Sequence, residues 1–300
     1  MTDAGYRRAV PAMGTIVTIH VPHPRSNSRQ APRCDEAVGR AFEWFDRVEA
    51  CCSRFDPQSE LIQLTAQAGT EVPVGPILYE AVQFAIAVAE ETGGAFDPTV
   101  GHAMENHGFN REYRSGNALH TAVDTSPGIS YRDVRLNPER KTITLLQPLI
   151  LDLGAVAKGF AVDMAARELR AFPDFVIDAG GDLYLAGLNP EGQPWAVGIR
   201  HPRLDNEVID CVRASNQAVC TSGDYERGQH ILDPRTQTAA PHVASVTVVA
   251  PTAMLADALA TAAFVLGPDE GIALFERLGV EGLIISPELE TYATGGWIHG

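Results

Sequence analysis

LILDLGAVAKGFAVD, residues 149–163, is the stretch around which the rest of the chain is arranged. Its apolar start, residues 149–151, is typical of a strand, and apolar side chains at three- and four-residue spacing after Lys158 predict a helix. Asp152 and Gly154 lie between the two, and glycine permits a tight turn there. Free N–H groups at the start of such a helix bind anions such as phosphate. The stretch therefore predicts a corner suited to a phosphorylated ligand.

Two interpretations of this corner stay open at this point. In one, the acid of Asp152 and the base of Lys158 belong to a ligand site. In the other, the corner is an ordinary connection in which Asp152 caps the helix and Lys158 is solvated. The other motifs of the chain have to decide between them.

The composition is that of a soluble globular protein, since 45% of the 300 residues are hydrophobic and 20% are charged. A formal net charge of -15 argues against a nucleic acid or an acidic membrane as the partner, because both are polyanions. A small anionic ligand stays compatible with this charge where local cations offset it. We expect one domain over residues 1–300, or two intimately joined lobes with the active site between them.

Nothing in the sequence indicates export or membrane insertion. The stretch after Arg8 is interrupted by Thr15, Thr18 and His20, and no run of about eighteen apolar residues occurs. The five cysteines, without a C-x-x-C pair, are typical of free thiols in a reducing compartment. We expect a cytoplasmic protein as the sequence stands, and a periplasmic protein or lipoprotein if a leader was removed.

Helical patterns lie early and late in the chain, with hairpin-linked strands between them. Helices are predicted over residues 35–52, from Glu60 after the cap Ser59, from Pro76 to Gly93, from Thr252 onward and over 269–278. Strands are predicted over residues 15–21, 134–136, 142–145, on both sides of Gly180 and Gly181, and over 195–200, 208–212, 218–221, 244–250, 282–285 and 291–294. Residues 22–33 and 102–128 are predicted to be irregular. This order is typical of an α+β fold with largely antiparallel or mixed sheets packed against helices, and not of a doubly wound parallel sheet.

Asp257 and Thr261 stand four residues apart on a predicted helix, so their side chains project from one face. The helix is otherwise almost wholly apolar, and an acid is costly to bury there unless it meets a cation or a donor. A carboxylate and a hydroxyl offer hard oxygens, which suit Mg²⁺. In the alternative interpretation Asp257 lies on an exposed stripe and Thr261 bonds back to a backbone carbonyl.

Two loops carry further polar chemistry. HILDPRT contains His230, a candidate general base, although a lone histidine is more often a surface or satisfied residue. TSGDYER, residues 221–227, leaves a strand, which is a common place for ligand contacts. No G-x-G-x-x-G follows a strand, and residues 154–159 do not form a Walker loop.

Taken in order, these segments resemble one family, the FAD:protein FMN transferases or ApbE-type flavin transferases. The resemblance covers nearly the whole chain, and the ordered set is far more specific than any single piece. It is carried by AMGT, SRFDPQSEL, TGGAFDPTVG, LDLGAVAKGFAVD, DAGGD, WAVGIRHP, CTSGDYER, HILDPRT and VTVVAPTAMLADALATAAFVLG.

The resemblance implies an enzyme that binds FAD, uses Mg²⁺ and moves FMN onto a Thr or Ser hydroxyl of an acceptor flavoprotein through a phosphoester bond, releasing AMP. It implies flavin contacts by Met13, Phe55, Ala95, Phe96, Asp97, Asp152, Lys158 and Leu232. It implies metal coordination by the backbone carbonyl of Ala155 with Asp257 and Thr261, and it makes His230 the base. This chemistry is consistent with the residue types, because attack on a diphosphate needs neutralised charge and a proton acceptor.

Three features depart from the family pattern. Gln237 stands where a glycine usually follows HILDPRT, so the turn must avoid a positive φ or carry strain. Ala260 stands where some members have a further acid, which leaves fewer negative ligands. Many members are exported lipoproteins, whereas this sequence shows no leader.

Two rival functions remain alongside the transferase. One is an FAD hydrolase, in which water replaces the acceptor hydroxyl and FMN and AMP are released. The other is a non-catalytic FAD-binding or carrier protein. We favour the transferase because Asp257, Thr261 and the His230 loop are all present, and a carrier has no need of them.

Overall fold

The computed structural model of the protein describes residues 5–22, 34–111, 116, 118, 121, 123, 128–225 and 230–297. Its helices are α1 (Cys34–Cys52), α2 (Glu60–Thr65), α3 (Pro76–Glu91), α4 (Gly101–Asn106), α5 (Gly154–Glu168), α6 (Ala253–Leu266) and α7 (Pro268–Leu278). Its strands are β1 (Tyr6–Ala12), β2 (Thr15–Val21), β3 (Glu71–Pro73), β4 (Val134–Asn137), β5 (Thr142–Leu145), β6 (Phe175–Ala179), β7 (Asp182–Ala186), β8 (Trp195–Arg200), β9 (Val208–Ala214), β10 (Gln217–Gly223), β11 (Leu232–Asp233), β12 (Thr238–Ala239), β13 (Ser245–Ala250), β14 (Glu281–Ile285) and β15 (Thr291–Ala293).

An eight-stranded sheet forms the centre of the fold, in the order β1-β2-β6-β7-β10-β13-β14-β15. All its strand pairs are antiparallel. Helices α5 and α6 pack against β6, β7, β10 and β13, and α1 and α3 pack on α5 from outside. The hairpin β8–β9 contributes to a second, smaller apolar cluster with side chains of β7, β10, β13 and β14. The prediction of an α+β fold is confirmed.

Three details differ from the sequence prediction. Residues 149–151 are not a strand, although all three side chains are fully buried. The backbone here bonds to the start of α4 and the turn before it instead of to a sheet: the carbonyl of Ile150 accepts from Gly101 N at 3.2 Å, and the N–H of the next residue but one, Asp152, donates to Pro98 O at 2.7 Å. Helix α5 begins at Gly154, before Lys158.

Other differences concern short elements. The segment predicted to be irregular begins with α4, and β1 and β3 were not predicted. Most of the predicted loop over residues 22–33, part of the segment 102–128, and residues 226–227 of the TSGDYER loop lie outside the described residues.

The junction of α5 with α6 sets how the predicted site residues on these two helices lie relative to each other. Asp163 on α5 accepts hydrogen bonds from the first backbone N–H groups of α6, those of Ala253 at 2.7 Å and Met254 at 3.0 Å. One turn earlier, a Cβ at Gly159 would lie 2.6 Å from the carbonyl carbon of Ala253. Only glycine permits this approach. Lys158, beside Gly159, is thereby brought next to the first turns of α6.

We predict that Gly159→Ala separates the two helices. The added methyl group would collide with backbone atoms, which cannot rotate away, so the free energy of unfolding should fall by about 1–3 kcal/mol. Gly39→Ala on α1 is the matched control, because a Cβ there meets nothing within 4 Å. The control should be stabilised by about 0.5–1 kcal/mol, the helix propensity difference. Urea denaturation of both variants measures these changes, and equal effects in the two would show that the helices do not depend on the close approach.

We also predict a pH dependence of stability from Asp163. Burial raises the pKa of this carboxyl to about 6, despite the two backbone hydrogen bonds that lower it. A raised pKa in the folded state means a contribution to stability that is present below the unfolded pKa and is lost as the pH rises through about 6. The stability advantage of the wild-type protein over Asp163→Asn should therefore shrink by on the order of 2 kcal/mol between pH 4.5 and 7. Urea denaturation across that range measures it, and an advantage that grows with pH would contradict the assignment.

Candidate active site

A cavity of about 680 Å³ opens where α5, α6, the ends of β2, β6 and β10, and several loops meet. All the predicted site residues except Met13 line it: Phe55, Ala95, Phe96, Asp97, Asp152, Ala155, Lys158, His230, Leu232, Asp257 and Thr261. Fold topology thus gathers side chains from distant parts of the sequence into one space. The volume falls within the range usual for small-molecule and cofactor sites.

Three charged side chains form a cluster at the cavity wall, and two of them, Lys158 and Asp257, line the cavity. The ammonium of Lys158 makes an ion pair with Asp182, and its Nζ lies 3.8 Å from Oδ2 of Asp257. Asp257 is 7% exposed and Asp182 is 2% exposed. The interpretation of Asp257 as part of an exposed stripe is therefore wrong, and Lys158 is not simply solvated. Buried carboxylates of this kind are stable only beside a cation or hydrogen-bond donors.

The corner before α5 combines the two interpretations left open by the sequence. Oδ1 of Asp152 accepts from the backbone N–H of Gly154 at 2.8 Å, so this acid satisfies the first N–H group of α5, although the N-cap position itself is Leu153. Its other oxygen, Oδ2, accepts from Nε of Arg54 at 2.6 Å. Arg54 is itself buried, donates to the carbonyl of Phe109, and lies with its guanidinium 4.2 Å from the centre of the Phe55 ring. Asp152 thus lines the cavity while its carboxylate holds the corner together.

The carboxylate of Asp97 is also occupied by structural hydrogen bonds. Its Oδ1 accepts from the N–H and the hydroxyl of Thr99, at 2.9 and 2.7 Å, and its Oδ2 accepts from the N–H of Tyr131 at 2.9 Å. Burial raises the pKa of this group, and the hydrogen bonds oppose that effect. A ligand in the cavity would therefore meet the backbone at Asp97 more readily than its carboxylate.

The loop that carries His230 is attached to the segment after α4. The rings of His230 and Phe109 meet edge to face, with their centres 6.3 Å apart. Nearby, Nε2 of His107 hydrogen-bonds to the carbonyl of Gln237 at 2.9 Å. Because Arg54 holds the carbonyl of Phe109, the corner before α5 and the His230 loop form one connected wall.

Met13 lies just outside the cavity lining, in the turn between β1 and β2. Met13 and Gly14 both have positive φ, 48° and 76°, as a two-residue hairpin turn of type I′ requires. Gly14 and Thr15, its immediate neighbours, do line the cavity. The left-handed conformation of a methionine is uncommon and places strain at the rim.

Sequence reasoning missed Arg54 and Asp182. Both belong to quoted motifs, SRF and DAGGD, yet neither received a role. The partner of Arg54, Asp152, is 98 residues away in sequence, and the partner of Asp182, Lys158, lies on α5. Only the fold reveals these pairings. The only local signal for Arg54 was its position directly before the aromatic Phe55.

The oxygen atoms available for a metal are few but chemically suitable. Asp257, Thr261 and Ala155 all line the same cavity, and a carboxylate, a hydroxyl and a backbone carbonyl are the kinds of group that bind Mg²⁺ together with waters and phosphate oxygens. Within the described residues, no group of three or more His, Cys, Asp and Glu side chains could hold a metal ion. None of the described helices is long and apolar enough to cross a membrane.

Comparison with known proteins decides the family. The ApbE family model matches residues 13–284. The chain belongs to the ApbE family. It is 34% identical to the FAD:protein FMN transferase of Treponema pallidum (strain Nichols), over 97% of this chain and 87% of the relative. It is 28% identical to the FAD:protein FMN transferase of Escherichia coli (strain K12), over 94% of this chain and 84% of the relative.

Solved structures of ApbE proteins share the fold. The ApbE protein of Thermotoga maritima superposes with a TM-score of 0.83 at 31% identity, covering 97% of both chains. The flavin transferase ApbE from Vibrio cholerae gives a TM-score of 0.82 at 26% identity, covering 97% of this chain and 98% of that one. The family resemblance expected from the ordered motifs is confirmed.

The two residues that depart from the ApbE pattern have different structural consequences. Ala260 is fully buried in the apolar core and does not line the cavity, so it affects the packing of α6. Gln237 has a φ of 57°, so the turn keeps the left-handed conformation that glycine adopts without strain. Its N–H donates to the carbonyl of Asp233 at 2.7 Å, which fixes that conformation.

We predict that Gln237→Gly stabilises the protein by about 1 kcal/mol, because it removes the cost of a left-handed non-glycine residue. The hydrogen bonds of the Gln237 N–H to Asp233 and of the Gln237 carbonyl to His107 involve only its backbone and are kept. The adjacent exposed Thr236 has no positive φ, so Thr236→Gly should destabilise the same turn. Thermal unfolding of both variants provides the measurement. A lower melting temperature for Gln237→Gly would show that the side chain compensates for the strain.

Proposed function

We propose that this protein transfers FMN from FAD to a Thr or Ser hydroxyl of an acceptor flavoprotein, releasing AMP, with Mg²⁺ bound at the site. The observation that carries the proposal is the convergence of the corner before α5, Asp257 and Thr261 of α6, and the His230 loop on one cavity. The relatives named FAD:protein FMN transferase support the same reaction.

In this proposal the flavin lies against the Phe55 side of the cavity. Phe55 offers an aromatic face, and Phe96 and Leu232 add apolar surface for a flat ring. The remaining contacts come from Ala95, the backbone at Asp97, and Asp152, with Met13 beside the rim. The guanidinium of Arg54 lies over the Phe55 ring and holds that ring in place.

The diphosphate of FAD is proposed to lie above the charge cluster. Lys158 supplies a positive charge at the wall, and the carbonyl of Ala155 with Asp257 and Thr261 would hold Mg²⁺. When bound, the metal neutralises charge on the non-bridging phosphate oxygens. A protein with a net charge of -15 needs such local cations to admit a substrate that is itself anionic.

The transfer step follows from these positions. The acceptor hydroxyl oxygen forms a bond to the phosphorus of the FMN half, and the bond from that phosphorus to the bridging diphosphate oxygen breaks. AMP leaves with the bridging oxygen, and the proton of the hydroxyl passes to His230 as general base. The contact of Phe109 with the His230 ring positions the imidazole at the cavity wall.

One experiment separates the transferase from its rivals. The protein is incubated with FAD and Mg²⁺, with and without an acceptor flavoprotein, and covalent flavin is followed by in-gel fluorescence while AMP is followed by chromatography. Labelled acceptor together with AMP supports the transferase. AMP without labelled acceptor indicates an FAD hydrolase, and neither product indicates a carrier.

We predict that Asp257→Ala lowers Mg²⁺-dependent AMP release by at least about a hundredfold while weak FAD binding persists, because the only carboxylate among the proposed ligands is lost. Asp46→Ala, at an exposed position of α1, is the control for removal of one negative charge and should behave like the wild-type protein. Undiminished turnover in Asp257→Ala would remove this residue from the metal role.

A further inference from the structure

We propose that Asp182 is a positioning residue that holds the ammonium of Lys158 away from Asp257, so that Asp257 can bind a divalent cation. This inference rests on the proposed function, because it concerns the same Mg²⁺ ligand. It assigns a role to the last residue of the DAGGD segment, which the mechanism above does not use.

Lys158 has two buried carboxylates within reach. Its Nζ contacts Asp182 directly, whereas 3.8 Å separates it from Oδ2 of Asp257. The side chain of Asp182 is 3% exposed and that of Asp257 is 10% exposed. Because a more deeply buried carboxylate loses more hydration, Asp182 has the greater need of the cation.

Asp182 lies behind the cavity wall. Lys158, Asp257 and Thr261 line the cavity, and Asp182 does not. It is therefore unable to touch a bound substrate in this arrangement, and any effect on the reaction has to pass through Lys158.

The backbone holds Asp182 rigidly in this place. It begins β7 directly after the turn Gly180 and Gly181, where φ is 68° and 97°. Oδ1 of Asp178 accepts from the N–H of Gly181 at 3.0 Å, and a Cβ at Gly180 would collide with the side chain of Thr15. A carboxylate fixed in this way gives the ammonium a preformed partner.

Without Asp182, the nearest carboxylate to the ammonium would be Asp257. An ion pair between Lys158 and Asp257 would neutralise the only carboxylate among the proposed metal ligands. A divalent cation would then have to displace the ammonium before it could bind, and its affinity would fall. Asp182 thus separates two functions, a positive charge at the wall and a carboxylate for the metal.

The test is a titration with Mn²⁺, which has the charge and the oxygen preference of Mg²⁺ and whose free form is counted by electron paramagnetic resonance. Protein saturated with FAD and lacking acceptor is compared as the wild type, Asp182→Asn, Asp182→Glu, Lys158→Met and the double variant Asp182→Asn/Lys158→Met. We expect Asp182→Asn to raise the dissociation constant of Mn²⁺ about tenfold or more. We expect Asp182→Glu, which keeps a carboxylate for the ammonium, to stay within about threefold of the wild type. We expect the double variant to bind Mn²⁺ as tightly as Lys158→Met, because no ammonium then competes for Asp257 and the loss of Lys158 is common to both.

Several results would overturn the proposal. Wild-type affinity in Asp182→Asn would show that Lys158 does not move to Asp257. A double variant as weak as Asp182→Asn would show that Asp182 acts through its own negative charge. If Asp182→Asn does not fold alone, the comparison of the double variant with Lys158→Met and of Asp182→Glu with the wild type decides the question: weaker binding in the double variant than in Lys158→Met, or a tenfold loss in Asp182→Glu, contradicts competition by the ammonium. Failure of the proposed function looks different: the wild-type protein itself would bind no Mn²⁺, or Asp257→Ala would bind it normally.

Discussion

The two hydrogen bonds from the start of α6 to Asp163 are the interaction on which the site depends. They satisfy two backbone N–H groups at the start of α6. The helix has no acid in its own first turn that could accept from them. They also bring a negative charge to the positive end of the helix dipole. With Gly159 providing the close contact, α5 and α6 form one packed unit. Lys158 on α5 and Asp257 and Thr261 on α6 therefore keep a fixed arrangement.

The same unit explains how an acidic protein creates a place for an anionic substrate. The ion pair of Lys158 with Asp182 and the pair of Arg54 with Asp152 place two cations at the cavity wall, each fixed by a buried or half-buried carboxylate. In both pairs the acid anchors the base, and both bases line the same cavity. Charge is therefore arranged locally, independently of the net charge of the surface.

Local signals in the sequence were enough for most of the fold and for much of the cavity. Ser59 caps α2, Gly180 and Gly181 turn between β6 and β7, and the four-residue spacing places Asp257 and Thr261 on one face of α6. These features depend on neighbours within a few residues. The family resemblance supplied Ala155, Phe55 and Leu232, for which spacing alone gave no role.

What could not be predicted depends on distant neighbours or on ambiguous patterns. A short apolar run such as residues 149–151 looks the same in a buried strand and in a buried segment between loops and helices. β1 was missed because most of its side chains are exposed, and Arg8 interrupts the face on which Tyr6, Val10 and Ala12 pack against the core. The partners of Arg54 and Asp182 are set by how whole elements pack, and no local propensity encodes that.

The edge position of β1 has a consequence for how copies of this protein meet. An edge strand offers unpaired backbone groups to any passing strand, which is a route to aggregation. In β1, Pro11 has no N–H to offer such a partner, and the charged side chains of Arg7 and Arg8 on the same strand are exposed. The open end of the central sheet is thus protected against intermolecular strand addition by the chemistry of its own side chains.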